Sequence, residues 1–117
     1  MSNEIKAATR IILEMGAGTA LHSGDYTKAA KRAVQDALYH SSLILFRQTQ
    51  FDPHAMQIEL ILGAQKPDEI DLQEVADLLP YGTVTPRAVL GGLDAVDASS
   101  GTPTVTVNAA VVVRLAL

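Results

Sequence analysis

Residues 8 to 31 read Ala8-Thr9-Arg10-Ile11-Ile12-Leu13-Glu14-Met15-Gly16-Ala17-Gly18-Thr19-Ala20-Leu21-His22-Ser23-Gly24-Asp25-Tyr26-Thr27-Lys28-Ala29-Ala30-Lys31. An apolar run gives way to glycines and then to a helix opening, so this stretch sets the chain as strand, turn, helix. Ala8 to Met15 is the expected first strand. Its consecutive Ile11, Ile12 and Leu13 point to burial on both faces. Gly16 and Gly18 are expected to end it in a turn, where glycine can adopt positive φ. Asp25 is placed to cap the helix by accepting from the amides of Thr27 or Lys28. The helix is expected from about Tyr26 to His40. Ala30, Ala33, Val34, Ala37 and Leu38 form its buried stripe.

Downstream, Ser41 to Pro53 has no clear period, although Leu43-Ile44-Leu45-Phe46 suits a short strand or a buried loop. Met56 to Ala64 alternates as a strand. Asp71 followed by Glu74 is a capping-box-like start for a short helix through Leu72, Val75, Ala76, Leu78 and Leu79, stopped by Pro80 and Gly82. Thr83 to Leu90 is a third strand, with Pro86 favouring an edge or a bulge. Gly91-Gly92 breaks it. Leu93 to Pro103 reads as a loop of small and polar residues, and Thr104 to Leu115 as a last, long strand. The expected order is β-α-β-α-β-β: one α/β (α+β) domain over residues 1–117, with a mixed four-stranded sheet and two helices on one face.

The chain has 117 residues, a net charge of −4 and no cysteine. One core is feasible at this size. The scattered lysines and arginines form no basic cluster, so nucleic acid is not an expected partner. Without cysteine there are no disulfides and no thiolate chemistry. No apolar run nears the ~20 residues that span a bilayer, and Met1 to Lys6 has no apolar stretch behind it to read as a secretory signal. The expectation is a cytoplasmic protein without a membrane partner.

Two helices cover one face of such a sheet, yet Ile11-Ile12-Leu13, Leu60-Ile61-Leu62 and Ala109-Ala110-Val111-Val112-Val113 are apolar throughout. An uncovered apolar face is rare in a monomer. An oligomer is therefore expected, unless a loop such as 41 to 55 covers the face; a homotrimer or hexamer is the form that the following resemblance implies. The element order with one naked face resembles the small trimeric chorismate mutases and the YjgF-like proteins, whose sites lie between subunits; this analogy carries no function by itself.

The turn and helix start resemble a small family of uncharacterised bacterial and plant proteins marked by G-x-G-x-D-x-H-G and a helix opening with T-K-A-A. Gly16, Gly18 and His22 match, Asp25 with Thr27-Lys28-Ala29-Ala30 continues the match, and Leu79-Pro80-Tyr81-Gly82 and Gly91-Gly92-Leu93 look family-like. Ala20 replaces the motif's aspartate and Ser23 its glycine. A weaker similarity is to one repeat of the cyanuric acid hydrolase and barbiturase family of ring-opening amidases. Ser99-Ser100-Gly101 looks like that family's serine element. Leu13, Glu14 and Met15 stand where its lysine would precede the glycines.

His22 is the sharpest candidate: a loop histidine after a strand suits a general base or a metal ligand, and equally a residue that only braces its loop. Glu14 and Asp25 flank the same turn and with His22 would make an acid/base or metal-binding group. The opening of the helix, with Ser23, Gly24, Thr27 and Lys28, offers amides to an anion. Gly-x-Gly without a third glycine supports no nucleotide site. His40 suits a helix C-terminus, and His54 is uninformative. Arg87 and Arg114, arginines in apolar strands, suit an anion clamp at a subunit boundary, or equally an edge or surface ion pair. The candidate catalytic set is His22, Asp25, Glu14, Ser99 and Ser100. The candidate binding set is Gly16, Gly18, Ser23, Gly24, Thr27, Lys28 and Arg114. The expected ligand is a small polar anion or cyclic amide held between subunits, with a non-catalytic structural or ligand-sensing subunit as the rival. No cofactor or metal is named by the sequence.

Overall fold

A computed structural model describes residues 8–21, 23–39, 55–79, 82–96 and 98–116. The expected strand or loop at Leu43 to Phe46, and all of His22, His40 and His54, lie outside them.

The fold is mixed α+β. Strand β1 (Ala8–Ala20) leads into helix α1 (Tyr26–Tyr39), then β2 (Gln57–Ala64), a 3-10 turn (Pro67–Glu69), helix α2 (Leu72–Ala76), β3 (Thr83–Leu90), β4 (Leu93–Val96) and β5 (Pro103–Ala116). Among the described residues the sheet has five strands, not four. Its order is β1-β5-β2-β3, and β4 pairs with β5 beyond the end of β2. Only β2 and β3 are parallel. The long β5 is the spine, with β1 along one side and β2 then β4 along the other.

Three sequence expectations need correction. Leu93 to Val96 is strand β4, paired to Pro103–Thr106, rather than loop. β1 does not stop at Met15: it runs to Ala20, through Gly16 and Gly18. Those two glycines are neither a turn nor in the left-handed region. They lie beneath α1. A β-carbon on Gly16 would stand 2.5 Å from the Ala33 carbonyl oxygen, and one on Gly18 would stand 2.3 Å from the Ala29 carbonyl oxygen. The glycines are there because the helix backbone presses on the strand, and a side chain has no room.

The core lies on one side of the sheet. Ala29, Ala30, Ala33, Val34 and Ala37 of α1 meet Val105, Val107, Ala109, Val111 and Val113 of β5 and Ile58, Leu60 and Leu62 of β2. α1 covers β1 and β5, and α2 packs on β3. Both helix starts are capped as expected: the Lys28 amide donates to Asp25 Oδ1 at 3.0 Å and the Glu74 amide to Asp71 Oδ1 at 3.1 Å.

The sheet edges at β1 and β3 are blunted. On β1, the Ala17 amide donates to Asp36 Oδ2 at 3.0 Å, and Arg32 Nη1 donates to the Thr19 carbonyl at 2.6 Å. Helix side chains thus take the backbone groups that another strand would need. On β3, Pro86 removes a donor.

Candidate functional site

Among the described residues, no helix lies on the other face of the sheet. Residues directly opposite in a ladder share a face, so the register reads out the surface in rows. Leu13, Val112, Glu59 and Thr85 form one row, and Met15, Ala110, Ile61 and Arg87 the next. On the other side of the Glu59 row, Arg10, Arg114, Gln57 and Thr83 align. The β1–β5 half of this face is apolar around Leu13 and Met15, which are 46% and 64% exposed, and charged at the end where Arg10 meets Arg114. The β2–β3 half is polar and charged.

The charged corner is the best-formed site among the described residues. Glu59 Oε1 accepts from Arg114 Nη1 at 3.1 Å, and Glu59 Oε2 accepts from Arg87 Nε at 3.4 Å. Gln57, Ile58, Glu59, Thr83, Thr85 and Arg114 line a groove of about 410 Å³, the size of many metabolite sites. The hydrogen bond from Arg114 holds the Glu59 carboxyl below its ordinary value. Arg87 adds to the effect, and partial burial offsets some of it. Three arginines and one glutamate leave an excess of two positive charges at this corner.

The candidates at the opposite end of β5 are placed differently. Gly24, at φ 60°, abuts Pro103, which brings the loop before α1 beside the turn that carries Ser99 and Ser100. Asp25 is engaged as the helix cap. Thr27 Oγ1 accepts from the Asp71 amide at 2.9 Å, so it ties the two helix starts together. Lys28 and Ser23 are exposed. Ser100 Oγ accepts from the Thr102 amide within its own turn. Glu14 lies on β1 opposite Val111, on the helix side of the sheet. Next to this end, the Tyr26 hydroxyl donates to Asp94 Oδ2, and Asp94 Oδ1 is buried without a hydrogen-bond partner. Burial and the Asp94 hydrogen bond push the Tyr26 hydroxyl up to about 12.

Arg114 stands eleven residues along β5 from Pro103, about 35 Å in an extended strand. The binding residues expected from sequence thus fall into two groups within one chain. Arg10, Gln57, Glu59, Thr83 and Thr85 were not legible as one site. For the four on β2 and β3 the signal was the alternation of polar residues, but only the pairing register places them, and Arg10 of β1, beside Arg114. Among the described residues no group of three or more His, Asp or Glu could hold a metal ion, and no helix is long and apolar enough to cross a membrane.

Comparison with known proteins agrees with this fold. The family described as conserved hypothetical protein (Lin0512_fam) matches residues 10–113, and the chain belongs to that family. Among solved structures, the chain is similar to an FtsZ-like protein of unknown function from Nostoc punctiforme. That likeness has 28% identity and a TM-score of 0.80, and covers 94% of this chain and 98% of that one. No curated protein matches.

Proposed function

We propose that this chain binds a small polar anion on its open sheet face, at the corner formed by Arg10, Arg87, Arg114 and Glu59, and that copies of the chain pack over the adjoining apolar half. The observation that carries the reading is the register, which sets Arg87 and Arg114 on the two oxygens of one carboxylate, with Arg10 across the ladder from Arg114, beside a 410 Å³ groove. Guanidinium is the side-chain group best matched to carboxylate and phosphate. Thr83, Thr85 and Gln57 add neutral polar groups that can orient the ligand.

The apolar half supports assembly. Leu13 and Met15 on β1, and Leu93 on β4, lie on this face and are about half to two-thirds exposed. The edges at β1 and β3 are blunted, which favours this face for self-association, with a homotrimer or a dimer of trimers as the form. Sites would then lie between subunits.

Binding rather than catalysis is the better reading of this corner. A carboxylate held ionised by two guanidiniums is a poor proton acceptor. Hydrolysis of cyanuric or barbituric acid is not part of the proposal. The lysine of that family has no counterpart here, and Gly16 and Gly18 lie packed under α1. Calorimetric titration with inorganic phosphate and with malonate, on the parent and on Arg114→Gln, tests the reading. Saturable binding that Arg114→Gln removes supports it. No binding to the parent, or equal binding to both, overturns it.

A further inference from the structure

We infer that Glu59 competes with the incoming anion for Arg87 and Arg114, so that the site selects dianions over monoanions. The inference rests on the binding reading above. Glu59 gives one oxygen to each arginine, and each arginine returns one N–H: Nη1 from Arg114 at 3.1 Å and Nε from Arg87 at 3.4 Å. A guanidinium has five such donors, and its strongest engagement is two-pronged. Here neither arginine meets Glu59 in that way, and the 3.4 Å contact is at the long end of a hydrogen bond. The side chains of Glu59, Arg114 and Arg87 are 33%, 38% and 54% exposed, so water and solutes reach the pair. The internal ion pair is thus of the exchangeable, half-solvated kind, weak by its nature.

The consequence is a charge filter. A monoanion that takes the arginines from Glu59 replaces one negative charge by another and gains little. A dianion, such as a phosphate monoester or a dicarboxylate, gains the second charge against the excess contributed by Arg10 beside Arg114. With Glu59 in place the site discriminates by charge; without it, any anion benefits.

The test uses the full-length chain and three probes: inorganic phosphate, malonate and acetate. The parent should bind phosphate or malonate well ahead of acetate. Glu59→Gln should bind all three more tightly, by about tenfold, and acetate should gain at least as much as the dianions. Unchanged or weaker binding by a folded Glu59→Gln would overturn the inference, because it would make Glu59 an organiser of the arginines. If that happens while Arg114→Gln still abolishes binding, the anion site stands and only the competition fails. If Arg114→Gln binds like the parent, both fall. A second readout needs no substitution at all. On saturation of the parent with phosphate, the Glu59 carboxyl carbon resonance should move to the position of a solvated glutamate. A resonance that stays fixed under saturation contradicts displacement.

Discussion

Gly18 and Ala33 meet backbone to backbone: a β-carbon on Gly18 would stand 2.3 Å from the Ala33 amide nitrogen. The neighbours on that side are main-chain atoms of α1, which cannot swing aside. Gly18→Ala should therefore force the helix off the sheet and cost on the order of 3 kcal/mol or more. Ala33→Leu overpacks the same contact from the helix side and should cost roughly 1–3 kcal/mol. Chemical denaturation of each variant measures both; an unchanged midpoint would contradict the packing.

Asp25 has a structural task, as the cap of α1. Asp25→Ala should lower stability by about 1 kcal/mol, and Asp25→Asn should largely retain it, because an amide oxygen also accepts the Lys28 N–H. Thermal melts of the pair check this. If Asp25→Asn lost as much as Asp25→Ala, a negative charge rather than a cap would be required at this position.

Tyr26 and Asp94 predict an alkaline limit. A tyrosine whose hydroxyl is pushed up from 10.0 to about 12 holds its proton more tightly in the folded state. Its contribution is complete below about pH 10 and is lost as pH rises through about 12. Tyr26→Phe should remove that step from the stability profile. It also leaves Asp94 without its hydroxyl donor in a buried setting, at a cost of roughly 1–3 kcal/mol. Denaturation midpoints between pH 8 and pH 12 for both proteins give the measurement, and parallel profiles would contradict it.

Leu13 and Met15 predict assembly. Light scattering at micromolar concentration should report an oligomer, and Leu13→Glu with Met15→Glu should return a folded monomer, since both side chains already stand in solvent within one chain. A parent that scatters as a monomer would refute the packing of copies on this face.

Much of the fold was legible because its signals are local. Helical spacing from Tyr26, alternation from Met56 to Ala64, and the Asp71–Glu74 start each depend on a few neighbouring residues, and the structure has them. What failed was long-range. Gly16 and Gly18 read as a turn because glycine usually marks one. Their partners, Ala29, Ala33 and Ala37, lie eleven or more residues on. Two residues of strand advance about 6.6 Å and four of helix about 6 Å, so a Gly-x-Gly strand matches an Ala-x-x-x-Ala helix. That match was present in the sequence but needs the two elements to be stacked first. Leu93 to Val96 is too short to show alternation. The arginine corner depends on register, which no single strand encodes.

Arg32 and Asp36 hold the Thr19 carbonyl and the Ala17 amide of β1. The helix that fills the interior is therefore also the guard of the sheet's border. Fraying of α1 uncovers two hazards in one event: the apolar floor made by Val107 and Ala109, and a strand edge ready to recruit another chain. Aggregation of this protein should consequently track the local opening of one helix rather than global unfolding, and whatever steadies α1 should protect solubility far out of proportion to the stability it adds.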